Sequence, residues 1–340
     1  MKNNKIAIGI DVGGTHIKYG LLLQEDEEYN LINYGCVKTP KNDVDSVVKI
    51  IVDIYDKLRK KSGKIVALGV GIAGIVNVKK GEVIFAPNLH WSNVKLKKIL
   101  EKKISIPIVI DNDANIATLG IHSFELKKKY RDLVCITLGT GVGGGIVLDG
   151  KIHFGDNGLA GEFGHTTVVP DGELCNCGNY GCLERYIGAQ WFVKFAKEKV
   201  EECIASGNKT KIFLLAENDL DNITSEIIYR AANKGDTLAK SLWKYYGYYL
   251  GIAVANIINS INPQVIVFTG GVAGAAKHFL PYVKKEVIKR VFPKLERKKQ
   301  RAIHFPVSFY ISSSPRNLGI IGAAILALEN LEYELKYNLR

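Results

Sequence analysis

Two segments of the chain share one pattern: an apolar run, a glycine-rich turn, and an apolar run that returns. "KIAIGIDVGGTHIKYGLLL" begins at Lys5 and "DLVCITLGTGVGGGIVLDGKIHF" at Asp132. In each, apolar and small residues alternate on either side of the glycines, as strands do when they meet at a tight turn. The likeness is of pattern rather than of residues, and it predicts an α/β architecture used twice. With 340 residues the chain is long enough for two lobes, since single cores rarely grow past roughly 250–300 residues. The expected boundary falls near Glu125 to Arg131, giving an N-terminal α/β lobe over 1–125 and a C-terminal α/β lobe over 126–340. A last helix in "NLGIIGAAILALEN" is expected to cross back to the first lobe. No low-complexity linker separates the halves, which predicts a hinged pair rather than independent modules.

Between these landmarks the periodicity changes. Val47, Val48, Ile51, Ile54, Tyr55 and Leu58 recur at helical spacing and predict a helix over Val44 to Lys61, capped at Gly63. A third strand near "NLINYGCVKT", a strand "IVALGVGIAG", a helix near Val94 to Lys103, and a strand "IPIVID" running into "NDANIATLG" complete the first half. The second half holds several helices, a long one through "LAKSLWKYYGYYLGIAVANIINSIN", then the strand "QVIVFTGG".

The N-terminal apolar run stops at Asp11, too soon for a signal peptide, and nothing later approaches the roughly 18 apolar residues a membrane helix needs. The chain is therefore expected in the cytoplasm with no membrane partner. Its formal charge of +12 comes from scattered lysines ("KKGE", "LKKILEKK", "KKKYR", "LERKKQR") without interleaved aromatics or a recognition motif. That pattern fits a solvated surface that attracts anionic substrates better than a nucleic-acid interface.

Glycine-rich turns end three apolar strands: "DVGGT" (Asp11–Thr15), "LGTGVGGG" (Leu138–Gly145) and "TGGVAGA" (Thr269–Ala275). One such turn is an ordinary hairpin; three favour a nucleotide, because unobstructed backbone N–H groups bind phosphate oxygens. Gly139, Gly141 and Gly144 also match G-x-G-x-x-G, but that fingerprint requires a helix directly afterwards and a strand-like segment follows. A nicotinamide site is thereby rejected. There is no G-x-x-x-x-G-K-[ST] sequence, which argues against a P-loop fold.

Asp111, Asn112 and Asp113 stand where the strand "IPIVI" runs out, the end at which open α/β sheets place ligand-contacting groups. A carboxylate there suits proton abstraction from a hydroxyl, with Asn112 orienting it; capping of the following helix is the alternative use of the same residue types. Further on, "GHTTVVPDGELCNCGNYGCLE" crowds Cys175, Cys177, Cys182 and His165 into one loop, three of the chain's six cysteines. Three cysteines and a histidine make a closed tetrahedral zinc set with no open position, so the metal is expected to be structural. Glu162 and Glu184 flank the loop and suit a polyhydroxylated ligand.

Together these residues resemble the ROK family of sugar kinases and related repressors, in the hexokinase–actin superfamily. The resemblance runs from "DVGGTHIK" to "GIIGAAILALE", and its most specific part is "AGEFGHTTVVPDGELCNCGNYGCLE", which is similar to the family's E-x-G-H followed by C-x-C-G-x-x-G-C-x-E. It implies a two-lobed hexokinase–actin-like (ribonuclease H-like) fold with a cleft between lobes, and a homodimer or homotetramer. It implies ATP and Mg²⁺ beside the structural Zn²⁺, and γ-phosphoryl transfer to the 6-hydroxyl of a hexose, with glucose the expected sugar. By position, the resemblance makes Asp113 the base. Asn88, Asn112, Glu162, His165 and Glu184 become sugar contacts, with His165 also facing the metal. Asp11, Gly13, Gly14, Thr15 and Lys18 form the first phosphate loop with Asp11 near magnesium. Thr140 and Gly141 form the second, and Gly270 and Gly271 lie against adenosine. Two departures, Ala73 where many relatives carry proline and a third glycine turn without its usual serine, touch none of these roles. A kinase for N-acetylmannosamine, N-acetylglucosamine or fructose remains the alternative. A sugar-responsive DNA-binding regulator is less expected, because the phosphate-loop strand begins at Lys5 and leaves no room for a helix-turn-helix.

Overall fold

In a computed structural model the described residues are 4–40, 43–292, 307–313 and 317–337, with side chains described through 332. The basic run "LERKKQR" lies outside them. The described parts of Met1–Leu133, Gly145–Gly161 and Ser314–Arg340 form one compact unit, and those of Val134–Gly144 and Glu162–Ser313 a second.

The first unit opens with β1 (Lys5–Val12), β2 (His16–Glu25) and β3 (Glu28–Lys38), paired antiparallel in sequence order. Helix α1 (Val44–Arg59) follows, started by Asp43, whose side chain accepts from the Asp45 N–H at 3.0 Å. It buries Val47, Val48, Ile51, Ile54, Tyr55 and Leu58, the face its periodicity predicts. Its end differs from expectation: the C-cap is Lys60, and the Lys61 N–H and the Ser62 hydroxyl turn back to the Leu58 carbonyl, so Gly63 plays no capping part.

β4 (Ile65–Ile72) runs parallel to β1. Three short strands, β5 (Ile75–Asn77), β6 (Glu82–Ala86) and β7 (Trp91–Val94), then make a small antiparallel sheet. The helix expected near Val94–Lys103 is shorter, α2 (Leu96–Glu101), because Trp91–Val94 is held in that sheet. β8 (Ile108–Asn112) runs parallel to β4 and leads into α3 (Asp113–Gly120), completing the sheet order β3-β2-β1-β4-β8.

β9 (Leu133–Leu138), β10 (Val142–Leu148) and β11 (Lys151–Ile152) repeat the opening pattern. The helices α4 (Glu184–Ile187), α5 (Ala189–Ala205), α6 (Lys211–Leu215), α7 (Ser225–Asn233) and α8 (Thr237–Ile261) follow. Then come β12 (Val265–Thr269), α9 (Ala276–Arg290), β13 (Ser308–Ile311) and α10 (Leu318–Tyr337). The second sheet has the order β11-β10-β9-β12-β13. The second unit packs around Phe192, Trp243, Tyr246 and Phe279, all fully buried. Among the described residues no helix is long and apolar enough to cross a membrane.

Helix α10 packs on β1, β4 and α3 in the first unit. Its backbone comes so near the sheet that a β-carbon on Gly9 would overlap the Ile320 carbonyl, and one on Gly69 the Ala323 carbonyl. Glycine in the middle of two buried strands is explained by that approach.

Candidate functional site

In the first unit the parallel strands β1, β4 and β8 end side by side, and the polar residues gather there. Asp11, near the end of β1, stands 3.9 Å from the Lys18 ammonium across the hairpin. Burial pushes its carboxyl upward, and the lysine opposes that rise. Gly319 at the start of α10 leaves room for it, since a β-carbon there would lie 2.7 Å from Asp11 Oδ2. The turn between β1 and β2 is closed by the Gly13 N–H on the His16 carbonyl at 3.0 Å, and Thr39 Oγ1 donates to the Gly13 carbonyl at 2.7 Å. Gly14 and Thr15 are exposed. Asn88, exposed on a single 3₁₀ turn, lies against Gly14, whose added β-carbon would stand 2.9 Å from Asn88 Cβ.

Asn112 caps α3. Its Oδ1 accepts from the Ala114 N–H at 2.7 Å and the Asn115 N–H at 3.3 Å, and its Nδ2 donates to the Gly74 carbonyl at 2.8 Å. Its amide thus has one further hydrogen to offer a ligand. Capping, one of two readings of this tripeptide, is the observed use of Asn112, and the half-buried Asp113 follows it in the first turn. Asp111 is buried behind them. Its Oδ1 accepts from the Asn112 N–H at 2.6 Å and from Asn115 Nδ2 at 3.1 Å, and burial pushes its pKa up to about 7.

In the second unit Cys175, Cys177 and Cys182 are free thiols. Their sulfurs and a nitrogen of His165 all lie within 4.8 Å of one another. Cys177 and Cys182 Sγ are 3.6 Å apart, close to the roughly 3.7 Å edge of a tetrahedron with Zn–S bonds of about 2.3 Å. His165 Nδ1 faces Cys175 Sγ at 3.9 Å. Desolvation and the neighbouring thiols push Cys182 up to about 12, because crowded thiolates repel unless a cation neutralises them. Donor types, spacing and electrostatics therefore fit a structural zinc ion.

The loop is also braced by residues its sequence did not single out. Arg185 donates to the Leu174 carbonyl at 3.1 Å, pairs with Glu173, and lies 3.7 Å over the Trp191 ring. Tyr186 accepts from the Glu173 N–H at 3.1 Å. They stand three and four residues after Cys182, and no residue type or spacing there marked them in the sequence. Glu162 precedes the short turn Phe163–His165, and desolvation raises its pKa, with His165 opposing and Glu184 adding to the rise. Glu184, first residue of α4, accepts from the Val142 N–H at 2.8 Å.

That bond reaches the second glycine loop. Thr140 is exposed, the Gly139 N–H donates to the Gly141 carbonyl at 3.0 Å, and β10 follows directly. Gly270 has φ +93°, and a β-carbon on it would overlap the Leu138 carbonyl, so the third glycine turn rests on the second. Gly139 and Gly271 face open space. The structure thus groups Asp11, Gly13, Gly14, Asn88, Asn112 and Asp113 in one unit. It groups Gly141, Glu162, His165, the three cysteines, Glu184 and Gly270 in the other.

The ROK family model matches residues 7–330. A glucokinase of Streptomyces coelicolor is 34% identical over 95% of this chain and 98% of its own. A xylose repressor of Caldicellulosiruptor bescii is 32% identical over 84% of this chain and 70% of its own. Among solved structures, a ROK family glucokinase from Streptomyces griseus in complex with glucose and AMPPNP is similar at TM-score 0.76 and 30% identity, covering 95% of this chain and 99% of that one. With a family match across nearly its whole length, the chain belongs to the ROK family.

Proposed function

We propose that the protein is an ATP-dependent hexose kinase that transfers the γ-phosphoryl group to the 6-hydroxyl of glucose. The observation that carries this reading is the His165 turn: Nδ1 faces the thiol cluster, and Glu162 and Glu184 flank it; Nε2, the other ring nitrogen, is assigned to a substrate hydroxyl. A closed zinc set beside two carboxylates is a scaffold for holding hydroxyls rather than a Lewis acid. Cys175, Cys177, Cys182 and Nδ1 of His165 would hold that zinc, which supplies rigidity to the loop.

Asn88, Asn112, Glu162, His165 and Glu184 are assigned to the sugar, each carboxylate accepting hydroxyl hydrogens and each amide donating or accepting. Asp113 takes the proton of the attacking hydroxyl as the P–O bond forms. Gly13 closes the first phosphate turn through its N–H on the His16 carbonyl, Gly14, Thr15, Thr140 and Gly141 offer backbone N–H groups to phosphate oxygens, and Gly270 and Gly271 offer a flat backbone to adenosine. Lys18 supplies positive charge. Asp11 is the carboxylate placed to hold Mg²⁺, which neutralises phosphate charge when bound. Transfer of this kind depends on positioning and charge, which these groups supply without covalent chemistry.

The test is ADP release from ATP and Mg²⁺ with glucose, fructose, N-acetylglucosamine and N-acetylmannosamine in parallel. Glucose should give the highest kcat/KM. A preference for N-acetylmannosamine would move the assignment within the family, and no turnover with any sugar would refute the kinase reading.

A further inference from the structure

Glu184 serves two neighbours at once. Its Oε2 accepts from the Val142 N–H at 2.8 Å, in the loop assigned to nucleotide phosphates. Gly141 permits that approach, since a β-carbon there would overlap Oε2 and lie 3.1 Å from the carboxyl carbon. The same loop leans on the α4–α5 junction twice more. The Ala189 N–H donates to the Gly139 carbonyl at 3.0 Å, and a β-carbon on Gly188 would stand 3.2 Å from the Thr140 carbonyl.

We infer that Glu184 positions the nucleotide loop as well as holding the sugar, so that either substrate tightens the binding of the other. One carboxylate oxygen fixes Val142 while the other is left for a sugar hydroxyl. The rotamer that serves the loop is the rotamer that serves the sugar, so the substrate that arrives first orders the side chain for the second. The inference rests on the kinase reading above.

Two crossed titrations test it, each altering one substrate's residue and reading the other substrate alone. With no nucleotide present, Gly141→Ala should weaken glucose binding about tenfold, because the added methyl displaces a charged hydrogen-bond partner of the sugar. Gly141 lacks a left-handed φ, so alanine meets only that overlap. With no sugar present, Glu184→Ala should weaken a non-hydrolysable ATP analogue about fivefold, the worth of one hydrogen bond. Glu184→Gln, which keeps an oxygen for Val142, should restore it. A glucose Kd in Gly141→Ala within about twofold of the unaltered protein overturns the inference. If that variant does not fold, unchanged analogue affinity in Glu184→Ala overturns it alone. Failure of the unaltered protein to bind glucose or the analogue, with no ADP release on any sugar, instead refutes the kinase reading and the coupling with it.

Discussion

Asp111 and Asp113 lie two residues apart, yet their surroundings give them different chemistry. Asp111 is buried, and its Oδ2 has no partner among the described residues. Burial raises its pKa from 3.8 to about 7, with the Asp113 charge adding to the rise. The unfolded chain therefore gives up this proton near pH 4 while the folded one keeps it to about pH 7. Stability from this group is complete below pH 4 and is lost as pH rises to about 7, by up to about 4 kcal/mol. Asp111→Asn, which has the shape of the neutral acid, should remove that slope. Urea midpoints from pH 4 to 8 should show the variant gaining on the native protein as pH rises, and a constant difference would contradict the burial argument. Asp113 is half-buried, and its Oδ1 accepts from the Ala114 N–H at 2.9 Å, a bond asparagine can keep. Asp113→Asn should fold normally and lower kcat by roughly 10²–10⁴, with sugar affinity little changed. Near-native kcat in steady-state assays would reduce Asp113 to a helix-start residue. The sequence left capping and chemistry as alternatives here because both use Asp and Asn at a strand end. Only geometry assigns the cap to Asn112.

Among the elements, the cysteine loop was the most legible, because its ligands lie within a few residues and spacing alone brings them together. The brace of Arg185 on Trp191 and of Tyr186 on the Glu173 N–H was not, since common residue types meet there only after folding. Cys177→Ser should abolish bound zinc, raise sugar KM steeply, and weaken nucleotide binding less, through the Glu184 bond to Val142. Metal analysis beside the two titrations checks this; a zinc-free variant with normal sugar KM would refute the scaffold role. The small sheet of β5, β6 and β7 escaped notice because strands of three to five residues carry too few alternations to show a period. Gly9 in β1 and Gly69 in β4 are explained by α10, and Gly71 in β4 by the Ile116 side chain of α3. Gly69→Ala, driven against the Ala323 carbonyl, should cost about 3 kcal/mol or more, read as a lowered denaturation midpoint.

At the scale of the whole molecule, the repeated strand, turn and return proves to be a repeated sheet. Numbered from their own first strands, β3-β2-β1-β4-β8 and β11-β10-β9-β12-β13 have the same order. The hairpins at one side of each sheet were legible because they are local. The other strands were not placed by sequence, because β9 ends at Leu138 and β12 begins at Val265, and periodicity does not say which distant strands pair. The proposed activity is transfer of the γ-phosphoryl group of ATP to one particular oxygen of a hexose. Phosphorus NMR of the products from ATP, Mg²⁺ and glucose tests it most directly. ADP and glucose 6-phosphate are expected in equal amounts; phosphate on another hydroxyl, or free phosphate without a sugar ester, would contradict the proposed transfer.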